Sequence, residues 1–327
     1  MLRRIVFAAI AFAMRQVVAA SPPDIAFKNL VTFGDSYTDA ANTGDGGVAW
    51  PVYAAGYNSM ALYPFAKSGA VCSENLTPRG SQSVTEKQIP TFLAQLNNGT
   101  ISIDQSETIY TLWVGTNDVS SGTPGSPTLS GKAALVSGNG VPGVSIVDTA
   151  TCAVNWVRTM YDAGARNFIF QNMIPLETTP MYAPDAYYTR YWTWERNATA
   201  WSVFIAELTK AGNAISRLML QDLATELPGA HIGLFDSHAL FTDMYSHPET
   251  YFNGTDTLNV TGAVKSCVYQ VNGTADTAQC ATVAAGSARD SYLWYDELHP
   301  SEQADRIIAR EVVAALHGNV TWTRWFS

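Results

Sequence analysis

The sequence predicts a three-layer α/β/α sandwich built around a central, mainly parallel sheet. Short apolar runs of strand length alternate with longer segments of helical periodicity along the chain. These runs are apolar at consecutive positions, as expected of strands that are buried on both faces. Polar motifs follow directly where several runs end, which is where ligand sites lie in open α/β sheets.

The elements can be placed in order along the chain. The predicted strands are 29–33, 108–114, 167–171 and 231–235. The predicted helices are 83–96, 146–161, 195–227 and 301–316. Segments 121–145 and 248–290 are rich in Gly, Ser, Thr and Pro and lack strong periodicity, so we expect long surface insertions there. We expect residues 21–327 to form one domain.

Composition limits the classes of partner. A chain of 327 residues with 47% hydrophobic content can bury a sizeable core. Lys and Arg number 19 against 28 Asp and Glu, and no basic run is present that could follow a phosphate backbone. We therefore expect no nucleic-acid partner, and a monomer that acts on a small molecule.

The first 20 residues have the features of a signal peptide. Two arginines precede an apolar run over residues 5–14, and small residues precede the favoured cleavage site after Ala20. Cleavage after Ala13 is the alternative. Arg15 interrupts the run, which argues against a membrane span of about 20 apolar residues. We therefore expect a secreted protein without stable membrane insertion.

Asn-x-Ser/Thr sequons agree with export, because such sites are glycosylated in the secretory route. The candidate glycosylation sites are Asn75, Asn98, Asn197, Asn253, Asn259, Asn272 and Asn319.

The cysteines are even in number, as expected in an oxidising compartment. The four residues, Cys72, Cys152, Cys267 and Cys280, allow three pairings. We favour Cys72–Cys152 as a long-range link and Cys267–Cys280 as a local one. No Cys-x-x-Cys or clustered His pattern is present, so no metal site is expected.

Four short motifs carry the candidate chemistry. In chain order they are Gly34-Asp35-Ser36-Tyr37-Thr38-Asp39, Ser68-Gly69-Ala70, Gly115-Thr116-Asn117-Asp118 and Asp296-Glu297-Leu298-His299-Pro300. Together they resemble the GDSL/SGNH hydrolase family, which implies a flavodoxin-like fold. The resemblance spans almost the whole mature chain, and the order of the four blocks makes it specific.

The residue types suit acyl transfer. A serine hydroxyl is a weak nucleophile and needs a base within hydrogen-bond reach, for which histidine is suited near neutral pH. Ser36 is the candidate nucleophile and His299 the candidate base. Asp296, three residues before His299, can hold the imidazole on a tight turn and stabilise its protonated form.

The resemblance also implies an oxyanion hole. Its donors would be the backbone N–H groups of Ser36 and Gly69 and the side-chain amide of Asn117. Asp35 and Asp39 are expected to support the nucleophile loop by accepting backbone N–H groups. The chain departs from the family's literal motif at the residue after the nucleophile, where a tyrosine replaces leucine. We expect that tyrosine to contribute packing rather than proton chemistry.

Other residues could also have a role. Asp236 and His238 could imitate an acid–base pair, but no nucleophile is evident nearby, so a structural role is preferred. Tryptophans could be core residues or could stack on sugar rings. Trp50 is the best candidate to line the substrate cleft, with Trp294 as a second candidate that is expected to pack beneath the triad loop.

Longer strings around the four motifs resemble the fungal acetylesterases of carbohydrate esterase family sixteen. The strings are 33–39, 63–72, 113–118 and 293–301. The resemblance implies removal of acetyl groups from sugars and hemicellulose oligosaccharides, with no cofactor. A lipase or phospholipid acyl-hydrolase is the enzymatic alternative, with a lid within one of the two insertions. A secreted carbohydrate-binding glycoprotein without turnover is the non-enzymatic alternative.

Overall fold

A six-stranded sheet forms the centre of the computed structural model, which describes residues 21–42, 46–80, 82–120, 135–137, 141–283 and 286–327. The expected signal peptide and most of the insertion at 121–145 lie outside these residues. The strands are β1 (Asn29–Gly34), β2 (Ala61–Pro64), β3 (Thr108–Trp113), β4 (Asn167–Gln171), β5 (His231–Phe235), β6 (Asn259–Ala263), β7 (Lys265–Val268), β8 (Gln279–Thr282), β9 (Tyr292–Trp294) and β10 (Thr323–Phe326).

The helices are α1 (Trp50–Tyr57), α2 (Ile89–Asn97), α3 (Thr116–Val119), α4 (Ile146–Asp162), α5 (Ala198–Ala224), α6 (Ser237–Ser246), α7 (Pro248–Tyr251) and α8 (Glu302–Leu316). Side chains cap the N-termini of several of these helices. Ser145 and Asp148 form a capping box at α4, while Asn197 and Ser301 cap α5 and α8.

The sheet has the order β2-β1-β3-β4-β5-β10. The first five strands are parallel, and β10 pairs antiparallel with β5. The order 2-1-3-4-5 is that of flavodoxin-like doubly wound sheets. The predicted three-layer fold with a mainly parallel sheet is therefore confirmed.

Each face of the sheet buries its own hydrophobic core, because successive side chains of a strand point to opposite faces. On one face, Ile109 and Trp113 of β3 pack in a cluster with residues of α1, α6 and α8. On the other face, Tyr110 and Leu112 pack with residues of α2, α4 and the second half of α5. All six residues of β3 are buried, which explains its continuous apolar run.

The helix predicted over 83–96 is divided in the structure. A π-helical turn over Val84–Gln88 leads into α2, whose second residue is Pro90. Proline has no N–H to donate and tolerates the first turn of a helix, so the regular hydrogen-bond ladder begins here.

The insertion at 248–290 contains secondary structure that the sequence did not predict. Strands β7 and β8 form an antiparallel hairpin in which Cys267 lies opposite Cys280. Strand β6 pairs with β9, which leads to the fourth motif. The hairpin lies next to the fourth motif, because the Lys265 N–H donates to the Tyr295 carbonyl and the Cys267 N–H donates to Glu297 Oε1.

Both favoured disulfides are present. Cys72 is bonded to Cys152, which joins the loop after β2 to α4. Cys267 is bonded to Cys280 across the β7–β8 hairpin.

Candidate active site

The candidate site lies at the carboxyl edge of the sheet, where the loops after three neighbouring strands meet. Ser36 follows β1, Gly69 lies in the loop after β2, and Asn117 is in α3 directly after β3. Asp296 and His299 lie in the loop between β9 and α8. The fold thus brings residues from opposite ends of the chain to one place.

Ser36, His299 and Asp296 form a continuous hydrogen-bonded chain. The Nε2 atom of His299 lies 2.8 Å from Ser36 Oγ. Its Nδ1 atom lies 3.0 Å from Asp296 Oδ1 and 3.2 Å from Oδ2. His299 and Asp296 are buried, whereas Ser36 is partly exposed. A base in contact with the hydroxyl and an acid behind the base is the geometry that nucleophilic catalysis requires.

The Asp296 carboxylate is held by donors on both oxygens. Oδ1 accepts the backbone N–H groups of Leu298 and His299, each at 2.8 Å. Oδ2 accepts the Tyr191 hydroxyl at 2.7 Å and an Arg190 Nη2 hydrogen at 2.5 Å. Burial alone would raise the pKa of Asp296. The imidazole of His299 and the charge of Arg190 together lower the pKa of this carboxyl well below its usual range.

The nucleophile loop is shaped by a glycine. Gly34 has φ +140°, and a Cβ atom there would lie 2.1 Å from the carbonyl oxygen of Trp113. The Gln88 side chain bonds both backbone groups of Gly34, accepting its N–H at 3.0 Å and donating to its carbonyl at 2.8 Å. This position requires glycine because β1 and β3 approach closely here.

The two aspartates of the first motif accept backbone N–H groups, as expected. Asp35 Oδ1 accepts the Tyr37 N–H at 3.1 Å. Asp39 accepts two N–H groups of its own loop and, through Oδ2, the Ser68 N–H at 2.8 Å. Asp39 therefore joins the nucleophile loop to the loop that carries Gly69.

Asp35 is a buried carboxyl, and its Oδ2 atom has no hydrogen-bond partner among the described residues. Burial raises the pKa of Asp35 to about 7, and the Tyr37 N–H and the nearby His299 oppose this rise only in part. The environment of Asp35 thus favours its neutral form.

The loops after β2 and β3 are joined beside the nucleophile. The Asn117 Nδ2 atom donates to the Ala70 carbonyl at 3.0 Å. The Arg79 Nη1 atom donates to both the Oδ1 atom of Asn117, at 2.9 Å, and its backbone carbonyl, at 2.7 Å. Because arginine is only a donor, this contact fixes which end of the amide carries the nitrogen. One Nδ2 hydrogen then remains for another acceptor.

Gly69 has a left-handed backbone with φ +79°. Apart from its chain neighbours, none of the described residues has an atom within 4 Å of where its Cβ would be. A glycine without a Cβ and with open space at that position allows a ligand to approach its backbone closely. Nearby, the buried Asp118 accepts the Cys72 N–H at 3.1 Å and the Thr77 hydroxyl at 2.6 Å. Burial raises the pKa of Asp118 to about 6.

Two expectations about tryptophans need correction. Trp50 has no exposed surface, and its Nε1 donates to Thr38 Oγ1 at 3.2 Å in the core. Trp294 is also fully buried and stacks on Phe241 with ring centroids 5.7 Å apart. Neither indole lines a cleft, because both fill the layer between the sheet and its helices.

The sequence interpretation missed the segment that covers the triad carboxylate. Arg190 and Tyr191 contact Asp296, and the Tyr191 hydroxyl also lies 3.0 Å from His299 Nδ1. The only signal in the sequence is the unusual density of aromatic residues over 187–194. Trp194, at the end of this segment, is 41% exposed and packs edge-on against Trp192.

The remaining predicted residues have structural placements. Asp236 caps α6 by accepting the Ala239 N–H, and the backbone N–H of His238 donates to Asn172. Within the described ranges, no group of three or more His, Cys, Asp or Glu side chains could hold a metal ion. None of the helices in the same ranges has the length and apolar character needed to cross a membrane.

Comparison with known proteins assigns the family. The model of the GDSL-like lipase/acylhydrolase family matches residues 30–312, which include all four motifs. The chain belongs to this family. It is therefore a carboxylic ester hydrolase of the GDSL/SGNH class, and the resemblance that the motifs predicted is confirmed.

Three proteins illustrate what the chain is similar to. An acetylesterase of Hypocrea jecorina is 29% identical over 347 aligned positions, which cover 91% of this chain and 92% of that protein. A solved structure from Slackia heliotrinireducens, described as an SGNH hydrolase, is 14% identical, with a TM-score of 0.40 over 89% of this chain and 99% of the other. A carbohydrate esterase family 2 enzyme with a carbohydrate-binding domain, from Corynascus thermopiles, is also 14% identical, with a TM-score of 0.39 over 92% of this chain and 69% of the other.

Proposed function

We propose that this chain is a secreted serine esterase that removes acetyl groups from sugars and hemicellulose-derived oligosaccharides. The observation that carries the proposal is the hydrogen-bonded chain from Ser36 Oγ through His299 to Asp296, with 2.8 Å between the hydroxyl and the imidazole. The similarity to an acetylesterase over nearly the full length supports the acetyl specificity.

In this mechanism Ser36 Oγ attacks the ester carbonyl carbon while His299 Nε2 accepts the hydroxyl proton. The same imidazole then gives the proton to the sugar oxygen as its bond to the carbonyl carbon breaks. The sugar leaves as an alcohol, and the acetyl group stays on Ser36. Water, deprotonated by His299, then attacks the acetyl carbonyl. The bond between that carbonyl carbon and Ser36 Oγ breaks, His299 returns the proton to Oγ, and acetate is released. Asp296 orients the imidazole and stabilises its charged form in both steps.

The oxyanion formed in each step would be bound by the N–H groups of Ser36 and Gly69 and by the Asn117 amide. The open space above Gly69 and the unused Nδ2 hydrogen of Asn117 support this assignment. Such donors act most strongly when they are held in place before the reaction, as Arg79 holds Asn117.

We propose Trp194 as a surface on which the sugar rings of the substrate stack. Its indole is 41% exposed and lies three residues after Tyr191, which contacts the triad. Aromatic faces suit the apolar faces of sugar rings. Trp194 thus takes the role that the sequence had suggested for Trp50.

We also propose that the protein is exported through a glycosylating compartment. Two disulfides favour an oxidising compartment, and six of the seven sequon asparagines are exposed, Asn259 being partly buried. We expect the secreted protein to begin at Ser21 and to lose mass on treatment with a peptide N-glycosidase. A secreted protein that retains residues 1–20 and has no glycan would contradict this part of the proposal.

The substrate class is tested by two rate series on the secreted protein. Rates on p-nitrophenyl esters from acetate to palmitate should fall steeply with acyl length, and acetate should be released from acetylated xylo-oligosaccharides. A rise toward long chains would instead assign the protein to the lipases.

Trp194→Ala separates sugar recognition from ester chemistry. Loss of a stacking surface should lower kcat/KM on the oligosaccharide by about tenfold and leave p-nitrophenyl acetate hydrolysis unchanged. Tyr57→Ala is the matched control, because Tyr57 is 48% exposed at the far end of α1. Equal loss on both substrates, or the same loss in the control, would contradict a sugar-stacking role.

A further inference from the structure

Arg190 places a positive charge directly on the triad carboxylate. Its Nη2 atom lies 2.5 Å from Asp296 Oδ2, and its side chain is 45% exposed whereas that of Asp296 is 3% exposed. The guanidinium also lies over the Tyr191 ring, 4.7 Å from its centroid, and donates to the Tyr191 hydroxyl. These contacts fix the guanidinium beside Asp296.

A carboxylate behind a catalytic histidine normally favours the imidazolium, because opposite charges attract. A cation on the same carboxylate opposes that effect in two ways. It takes up one carboxylate oxygen as an acceptor, and it repels the positive charge that protonation would create on His299.

In the described part of the chain, four groups besides Arg190 and Asp296 lie near the imidazole of His299. Ser36 contacts Nε2, and the Tyr37 ring packs edge-on against the imidazole at 5.7 Å. The Tyr191 hydroxyl contacts Nδ1, and the buried Asp35 interacts electrostatically with His299.

The carboxylate of Glu297, the residue after Asp296, is held by groups other than the imidazole. It accepts the Cys267 N–H and the Tyr187 hydroxyl. Among the described residues that contact Asp296, Arg190 is the one whose side chain carries a permanent positive charge.

We propose that Arg190 is a positioning residue that keeps His299 unprotonated, and so competent as a base, at lower pH than Asp296 alone would allow. The inference rests on the proposed function, in which His299 must be neutral to accept the Ser36 proton. It predicts that Arg190 extends the esterase activity toward acid.

The kinetic test compares pH profiles of kcat/KM on p-nitrophenyl acetate. In Arg190→Gln the acid limb of the profile should move to higher pH by about 0.5 to 1 unit. The plateau value of kcat/KM should change less than the values on the acid limb. Arg190→Lys keeps a charge and should move the limb less. Arg158→Gln is the matched control, because Arg158 forms a surface ion pair with Glu226 and is 43% exposed.

A second readout does not depend on turnover. Histidine-labelled protein is titrated by NMR, with the signal of His299 identified by its loss in His299→Gln. The titration midpoint of His299 should rise in Arg190→Gln by the same amount as the kinetic limb and stay constant in Arg158→Gln.

The outcomes distinguish this inference from the proposed function. An NMR midpoint that does not rise in folded Arg190→Gln overturns the inference, even in an active esterase. A lower plateau with an unmoved acid limb also overturns it, because that result indicates a purely structural contact. A shifted midpoint in a protein that hydrolyses no ester would support the role of Arg190 and overturn the proposed function instead.

Discussion

The hydroxyl of Tyr37 donates a hydrogen bond to the backbone carbonyl of Leu298 at a distance of 2.9 Å. Tyr37 directly follows the candidate nucleophile, and Leu298 directly precedes the candidate base. The two residues are 261 positions apart in sequence, so one buried side chain joins the first and last motifs. A leucine at this position could pack in the same place but could not make this bond.

Tyr37→Phe should therefore reduce stability. The substitution keeps the ring but leaves the buried Leu298 carbonyl without this donor, at a cost of about 1 to 3 kcal/mol in the free energy of unfolding. We also expect a modest loss of kcat/KM, because the loop that carries His299 is less firmly held. Urea denaturation measures the first effect, and a Phe variant as stable as wild type would contradict it.

The buried Asp35 predicts a pH-dependent stability. Its pKa of about 7 lies above the ordinary value of 3.8, so its contribution to stability is full below about pH 4 and is lost as the pH rises through about 7. In Asp35→Asn that loss is absent. The variant should therefore gain about 2 to 4 kcal/mol relative to wild type between pH 4 and pH 8. Denaturation at both pH values tests this, and a constant difference would refute it.

Asn117 and Arg79 should affect the rate to different degrees. Removing an oxyanion donor costs about 100- to 1000-fold in kcat, which we expect for Asn117→Ala. Arg79→Met keeps the amide and its bond to Ala70 but removes the contact to Oδ1, so we expect about a tenfold loss with little change in KM. Arg158→Met, at the surface ion pair with Glu226, controls for the lost charge. Unchanged kcat in a folded Arg79→Met protein would contradict the positioning role.

Glu297 should stabilise the fold through its acceptor oxygen rather than through its charge. Its Oε1 atom accepts the Cys267 N–H at 2.5 Å and the Tyr187 hydroxyl at 3.0 Å, and burial raises the pKa of this carboxyl. Glu297→Gln keeps an oxygen there and should change stability by less than about 1 kcal/mol. Glu297→Ala leaves two donors unpaired and should lose about 2 to 4 kcal/mol. Thermal unfolding of the pair tests this, and equal losses would contradict it.

The central strands were the most predictable part of the fold. Strands 167–171 and 231–235 were predicted with the bounds that the structure has, because central parallel strands are nearly continuous apolar runs. The edge strands β2 and β10 were missed. Each has four residues, and β2 ends in a proline, which an edge strand tolerates.

The candidate triad was predictable because its members lie in short motifs, and the structure brings Ser36, Asp296 and His299 within hydrogen-bond distance. Arg190 and Tyr191 were not predictable in this way. They are 105 or more positions from Asp296, and only the fold brings them to it. For Trp50 the sequence suggested a role that the fold rules out. Its position after a glycine-rich loop gave no indication that the indole is buried.

The most direct test of the central claim is the rate of p-nitrophenyl acetate hydrolysis by Ser36→Ala, compared with wild type at equal concentration. Thermal unfolding of both proteins confirms that the variant is folded. If Ser36 carries the acetyl group, the rate should fall by about 10⁴-fold or more. A folded Ser36→Ala protein that keeps a tenth or more of the wild-type rate would contradict the assignment of Ser36, His299 and Asp296 as the catalytic residues.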